Sequence, residues 1–197
     1  MTNDEPIDIT IEFDSAEFER LATVADSPPN LVHEATMDRI ELEEAINYTQ
    51  DGGFHGPNGF AKIKEEEYPT WPLGSLIGIE LQSMGGGESR WTMEAGPEHA
   101  NPMGTIHGGV LCDLGDAALS SAYMSTLDDD KLFTTIDLTI HFLRPVRSER
   151  LEATGEVIHR GRSTGVSQSD IWNEHGERVA RLSGTCMTLG KANSQSN

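Results

Sequence analysis

The chain has 197 residues, of which 36% are hydrophobic, enough for one domain with a core, with or without an extension. Its 33 acidic and 14 basic residues give a formal net charge of −19. This balance argues against a nucleic-acid partner, because phosphate binding needs clustered Lys and Arg. Two cysteines, Cys112 and Cys186, are too few for a disulfide framework.

The beginning of the chain, MTNDEPIDIT, has neither the basic nor the apolar segment of a signal peptide. No apolar run is long enough to span a bilayer. We therefore expect a cytoplasmic protein with no membrane partner. An acidic chain with only four lysines suits a cytoplasm rich in salt, where charge repulsion is screened.

Residues 1–70 differ in composition from the rest and are predicted to be an acidic, partly helical extension. Asp14 and Glu17 have the spacing of a capping box, which predicts a helix that ends at the prolines of SPPN. A second helix is predicted over 36–49 and is followed by a glycine-rich loop.

Pro69 and Pro72 mark the boundary to a second predicted region, residues 71–190. It opens with two predicted strands, 76–84 and 89–95, around three consecutive glycines, and this pattern is typical of a hairpin with a glycine turn. After this region, the polar residues 191–197 are predicted to be a disordered tail.

A single helix is predicted over 109–124, followed by a strictly alternating strand over 134–143. In that strand the alternation places Ile136 and Phe142 on the apolar face and Thr135 on the opposite face. Three more strands are predicted, over 151–159, 165–172 and 178–189. This order predicts an α+β fold in which an antiparallel sheet wraps around the central helix. The other face of the sheet has no helix to cover it, which predicts an oligomer.

The predicted helix carries Asp116 among small apolar residues, and a buried carboxylate without a partner is costly. Asp113 lies in the first turns, where the helix dipole favours negative charge, so we assign it no chemical role. The N–H groups near Gly108 and Gly109 are available for an oxygen that carries negative charge. An amide donor and a carboxylate that activates water suffice to hydrolyse an activated acyl group. No Gly-x-Ser-x-Gly segment is present to support a catalytic triad.

The stretch 101–122, NPMGTIHGGVLCDLGDAALSSA, and TTIDLTIHFLRPV after it resemble the PaaI-type hotdog-fold acyl-CoA thioesterases. The resemblance covers roughly 76–189. Its core is an asparagine, a His-Gly-Gly six residues later, and an aspartate nine residues after the histidine. Asn101, His107 and Asp116 match that spacing.

The resemblance implies a hotdog fold, an acyl-CoA substrate, no cofactor and no metal, and a homodimer or a tetramer built as a dimer of dimers. It implies that the Gly108 N–H polarises the thioester carbonyl, beside Gly109 in the substrate site. Asn101 and His107 would shape that end of the site, and Asp116 would be the general base or the nucleophile.

The family places a Ser or Thr near the attacking water on the following strand. Thr135 matches this position best, and Thr134 is the alternate. Arg160 and Arg162 match a region that often lies near the nucleotide end of CoA. The other histidines lack metal-ligand spacing and are interpreted as surface or packing residues.

Three alternatives stay open from the sequence. The acyl group could be carried on a carrier protein instead of CoA. A hotdog hydratase would need a histidine base beside the aspartate on one element. A non-catalytic acyl-CoA-binding protein would keep the pocket without the chemistry, and the presence of Asp116 argues against it.

Overall fold

The computed structural model describes residues 71–129 and 131–191, so the helices expected in the N-terminal extension and most of the expected tail lie outside the described residues. The described chain forms two α-helices, one 3₁₀ turn and six strands. In chain order these are α1 (Pro72–Ile77), β1 (Ile79–Gly85), β2 (Glu88–Ala95), the 3₁₀ turn (Pro97–His99), α2 (Gly108–Met124), β3 (Lys131–Phe142), β4 (Glu149–Arg160), β5 (Thr164–Asn173) and β6 (Arg178–Lys191).

The six strands form one antiparallel sheet in the order β1-β2-β4-β5-β6-β3. The predicted hairpin of β1 and β2 is confirmed, and its turn residues Gly86 and Gly87 have φ angles of 62° and 87° that favour glycine. The sheet packs on α2, which confirms the α+β prediction of one helix held by an antiparallel sheet. No helix in the described ranges is long and apolar enough to cross a membrane.

Hydroxyl and indole groups of the sheet hold α2 close to the strands. Ser89 donates to the carbonyl of Ala118 at 2.6 Å, Ser169 donates to the carbonyl of Gly115 at 2.8 Å, and the Trp91 indole donates to the Ser121 hydroxyl at 2.7 Å. The backbone approach is equally close, since a Cβ atom on Gly155 would run into the carbonyl of Ala118. These contacts enclose one side of the helix.

The small residues of α2 divide into two sets. Ala118, Ser121 and Ala122 are buried under the sheet, as expected for residues that let strands approach. Ala117 and Ser120 are only half-buried, because they belong to a stripe on the side of α2 that the sheet leaves open. The stripe repeats at helical spacing and consists of Gly109, Cys112, Asp113, Asp116, Ala117 and Ser120.

The predicted start of the first strand at Leu76 is wrong, because α1 extends through Ile77. Pro72 at its first position and Gly78 after its last, with φ of 65°, are ordinary helix start and stop residues. The far end of the region also differs, since β6 continues through Lys191, where the tail was expected to begin.

The alternation predicted for the strand over 134–143 is interrupted by a β-bulge. Thr135 pairs with Cys186 and Asp137 with Thr185, so Ile136 is an extra residue between them. The bulge reverses the expected faces at this point. Ile136 is 52% exposed, and Thr135 faces α2.

The outer face of the sheet carries charged pairs. An oligomer was expected because no helix covers this face, but a face with charged pairs can be exposed to water without such a cover. Arg90 pairs with Glu152 at 2.6 Å, and Arg150 pairs with Glu94 at 3.0 Å. Asp170 accepts from Arg181 through both carboxylate oxygens. The two exposed pairs, of Arg90 with Glu152 and of Arg150 with Glu94, add little stability, but they are compatible with water.

Candidate active site

The start of α2 leaves one backbone amide open to a ligand. His107 caps the helix, and its Nδ1 accepts the Gly109 N–H at 2.9 Å, so a neutral His107 ring carries its proton on Nε2. The Gly109 N–H, expected to be available, is therefore occupied. The Gly108 N–H has no hydrogen-bond partner among the described residues, and Gly108 is half-buried. One oxyanion donor, the Gly108 amide, thus lies at the helix start.

Asn101 holds the loop that leads to α2. Its side-chain oxygen accepts the N–H of Met103 at 2.9 Å and of Thr105 at 3.4 Å, and its amide nitrogen donates to the Thr105 hydroxyl at 2.9 Å. Beyond this loop, the Ile106 N–H donates to the carbonyl of Val146 at 2.8 Å. Within the chain Asn101 therefore shapes the approach to the helix start through the loop.

Asp116 and Thr135, two of the candidate site residues, lie together. The Thr135 hydroxyl donates to Oδ1 of Asp116 at 3.1 Å. Burial raises the pKa of Asp116, the hydrogen bond from Thr135 lowers it, and the negative charge of Asp113 one turn earlier raises it, with a net upward shift. A half-buried carboxylate with a raised pKa is a stronger base than a solvated one.

Cys186 lies beneath this pair and was not expected in the site. It is fully buried, directly opposite Thr135 on the neighbouring strand. Burial raises the pKa of its thiol to about 11, so the sulfur is neutral and packs as a small apolar group. The strand register that brings Cys186 to Thr135 includes the bulge at Ile136, and the sequence pattern gives no signal for it.

Thr134, the alternate to Thr135, does not join the pair. Its side chain is exposed, and its hydroxyl donates to the carbonyl of Thr135 at 3.4 Å.

Arg160 lies at the end of α2 opposite Gly108. Its guanidinium stacks over the Tyr123 ring at 4.8 Å from the ring centroid and donates to the Thr188 hydroxyl at 3.1 Å and to the carbonyl of Gly161. Arg162 is exposed and has no hydrogen bond or ion pair within the described part of the chain. Of the two arginines, Arg162 is the one with a guanidinium available to a ligand.

Phe142 is a second neighbour of the site that the motif did not indicate. A Cβ atom on Gly108 would lie 2.8 Å from Cζ and 3.2 Å from Cε1 of the Phe142 ring. The tip of the ring therefore lies against the glycine that carries the open amide. Although it makes this contact, Phe142 is 56% exposed.

A group of possible metal ligands lies elsewhere, around the turn between β5 and β6. One ligand atom each from Glu149, Glu174 and His175 lies within 4.8 Å of the others. The sequence spacing of His175 did not indicate this group. Glu174 and His175 are exposed, and neither contacts Asp116 or Gly108.

The fold and the site define an enzyme of the hotdog thioesterase class, and comparison with known proteins identifies the family. The sequence model of the thioesterase superfamily matches residues 103–180. Acyl-coenzyme A thioesterase PaaI of Escherichia coli is 33% identical over 124 residues, which cover 62% of this chain and 86% of that protein. The 1,4-dihydroxy-2-naphthoyl-CoA hydrolase of Listeria monocytogenes is 29% identical over 102 residues, which cover 52% of this chain and 83% of that protein.

Solved structures support the same family. The PaaI protein of the phenylacetic acid degradation operon of Escherichia coli superposes with a TM-score of 0.60 at 30% identity, over 67% of this chain and 92% of that one. A thioesterase from Haemophilus influenzae superposes with a TM-score of 0.58 at 28% identity, over 63% of this chain and 87% of that one. The chain belongs to the PaaI-type hotdog-fold family of the thioesterase superfamily. The expected fold, family and class of enzyme are confirmed.

Proposed function

We propose that this protein hydrolyses an acyl-CoA thioester to the free acid and CoA in the cytoplasm. The observation that carries the proposal is the hydrogen bond from Thr135 to Asp116. Asp116 lies on the same helix whose start leaves the Gly108 N–H open. Relatives that are named as acyl-CoA thioesterases or hydrolases support CoA as the thiol part of the substrate. A carboxylate base and an amide donor are the two groups that thioester hydrolysis needs.

In the proposed reaction, Asp116 removes a proton from a water molecule held beside Thr135, and the water oxygen attacks the thioester carbonyl carbon. The Gly108 N–H stabilises the negative charge that develops on the carbonyl oxygen. When the carbon–sulfur bond breaks, the proton held by Asp116 passes to the CoA sulfur. The products are a carboxylic acid and free CoA. In the alternative, Asp116 attacks the carbonyl carbon directly, CoA leaves as the thiolate, and a mixed anhydride of Asp116 and the acyl group forms. Attack of water on the carboxyl carbon of Asp116 would then transfer one carboxylate oxygen to the acid, whereas attack on the acyl carbon would leave both oxygens on Asp116.

The proposed site combines two subunits. Gly108 and Asp116 are eight residues apart on one continuous helix, so they lie ~12 Å apart along its axis at 1.5 Å per residue. One carbonyl group cannot contact both from the same chain. Two antiparallel α2 helices, facing each other through their open stripes across a two-fold axis, bring Gly108 of one protomer opposite Asp116 of its partner. We propose a homodimer, alone or within a dimer of dimers.

The remaining candidates take supporting roles in the proposal. His107 orients the helix start and presents its Nε2–H to the substrate, and Asn101 fixes the loop before it. Gly109 contributes an exposed backbone without a side chain, since its N–H is already bonded. Arg162 is proposed to contact a phosphate of CoA.

The pH dependence of kcat/KM should report the ionisation of Asp116. We expect kcat/KM to fall with decreasing pH, with a midpoint above the usual aspartate range, because the pKa of Asp116 is raised and only the carboxylate acts as a base. Thr135→Val removes the hydrogen bond that holds the pKa down, so the midpoint should move to higher pH. The measurement is a pH profile from about pH 4 to about pH 8 for both proteins. Thr139→Val, exposed on the same strand, is the matched control and should leave the midpoint in place.

Release of free thiol from a panel of acyl-CoA thioesters tests the proposed activity. Catalytic release of CoA by the purified full chain, with stoichiometric formation of the acid, supports the proposal. Tight binding of acyl-CoA without thiol release contradicts it and favours a binding protein. Hydration of an enoyl-CoA without loss of the thioester contradicts it and favours a hydratase.

A further inference from the structure

Phe142 has a position that the proposed reaction does not yet use. It is the last residue of β3 and pairs with the buried Ala180 of β6, so it lies on the face of the sheet that packs on α2. Its ring reaches the start of that helix, where the tip touches Gly108. A Cβ atom at position 108 would lie 2.8 Å from Cζ of the ring, so a side chain there would require the ring to move.

The Phe142 ring is also largely open to solvent. Phe142 is 56% exposed although one edge of the ring packs on Gly108. A large aromatic surface left open beside an unpaired amide is the composition of a small-molecule site, in which apolar walls surround a few polar groups. When a thioester oxygen accepts from the Gly108 N–H, the carbons next to the carbonyl come within reach of this ring.

We propose that Phe142 forms the wall of the acyl site beside the Gly108 amide and sets the preference of the enzyme for apolar acyl groups. This inference rests on the proposed function. The acyl side of the carbonyl fits the ring better than the CoA side, because the pantetheine arm has an amide two carbons from the sulfur. A ring without a hydrogen-bonding group cannot satisfy that amide, whereas an acyl chain offers only apolar carbon.

The effect of Phe142 should depend on acyl chain length. Each methylene that loses its apolar contact costs about 0.8 kcal/mol, which corresponds to about a fourfold loss. For Phe142→Ala we therefore expect kcat/KM to change by no more than about twofold for acetyl-CoA. For butanoyl-CoA, which has two further methylenes, and for longer chains, we expect a loss of about tenfold or more. Phe142→Leu retains an apolar side chain, so its kcat/KM for these longer chains should lie between the values of the wild type and of Phe142→Ala.

The experiment measures kcat/KM by thiol release for straight-chain acyl-CoAs with the full-length wild type, Phe142→Ala, Phe142→Leu and Leu143→Ala. Leu143 is the matched control, because it is 50% exposed and adjacent in sequence, and the three atoms nearest a Cβ on Gly108 all belong to Phe142. A loss that grows with chain length in Phe142→Ala but not in Leu143→Ala supports the proposal. An equal loss for all chain lengths, or none, overturns it while the proposed hydrolysis stands.

A second pair of variants tests the contact itself and is assayed with acetyl-CoA, for which Phe142→Ala alone is expected to change kcat/KM by no more than about twofold. Gly108→Ala should reduce thiol release because its new Cβ meets the ring. Combined with Phe142→Ala, the same substitution has room, so the double variant should be more active than Gly108→Ala alone. Strict additivity of the two losses contradicts the contact. If the wild type releases no thiol from any acyl-CoA, the proposed function and this inference both fall.

Discussion

Replacing Asp116 with Asn is expected to lower kcat for acyl-CoA hydrolysis by at least about 10² to 10⁴, the usual worth of a positioned general base. The amide has nearly the same shape as the carboxylate, and its oxygen can still accept the hydrogen bond from Thr135. It cannot take a proton from water. Substrate binding should change little, so the loss should appear in kcat more than in KM. Steady-state thiol release by the purified variant measures both constants.

The same variant should be at least as stable as the wild type, which separates lost chemistry from lost fold. Burial disfavours the ionised form of Asp116 and raises its pKa, so the native state carries a cost at neutral pH that the neutral amide does not have. As the pH falls through the raised pKa, the native wild type takes up a proton and this cost disappears. The advantage in Tm of Asp116→Asn should therefore be largest at neutral pH and vanish in acid. Near-normal turnover by this variant would contradict the role of Asp116 as base.

The relative positions of the motif residues could be predicted because these residues are close in sequence. Gly108 and Asp116 lie on one helix, so their relation follows from 1.5 Å per residue once the helix is recognised. The single helix and the antiparallel strands follow equally from periodicity in the sequence. These features depend on local pattern, and the structure confirms them.

Features set by pairing between distant strands could not be predicted in the same way. The bulge at Ile136 places Thr135 towards Asp116, whereas simple alternation would have turned Thr135 away. The periodicity therefore indicated the wrong face for Thr135, whereas the candidate chosen from the resemblance lies beside Asp116. The contact of Phe142 with Gly108 likewise joins the end of one strand to the start of a helix 34 residues earlier. The hydrogen bond from the Gly109 N–H to His107 could not be predicted either, because it depends on the rotamer of the His107 side chain and not on a sequence pattern.

Activity should return when two inactive chains share a dimer, and this is the second large effect that we expect. Asn101→Ala removes the hydrogen bonds that hold the loop before Gly108, and Asp116→Asn removes the base. If each site takes Gly108 from one protomer and Asp116 from its partner, a mixed dimer has one site with both defects and one site with neither. With random assortment about half of the dimers are mixed, so activity should return to about a quarter of the wild-type value.

The most direct test of the shared site is therefore thiol release by verified mixed dimers of Asn101→Ala and Asp116→Asn. The two chains are co-expressed with different affinity tags, and only the doubly tagged species is assayed, with each parent dimer shown to be folded and inactive. One intact site of two predicts about half of the wild-type activity for the pure mixed species. Mixed dimers that stay as inactive as their folded parents would contradict a site built from Gly108 of one protomer and Asp116 of the other.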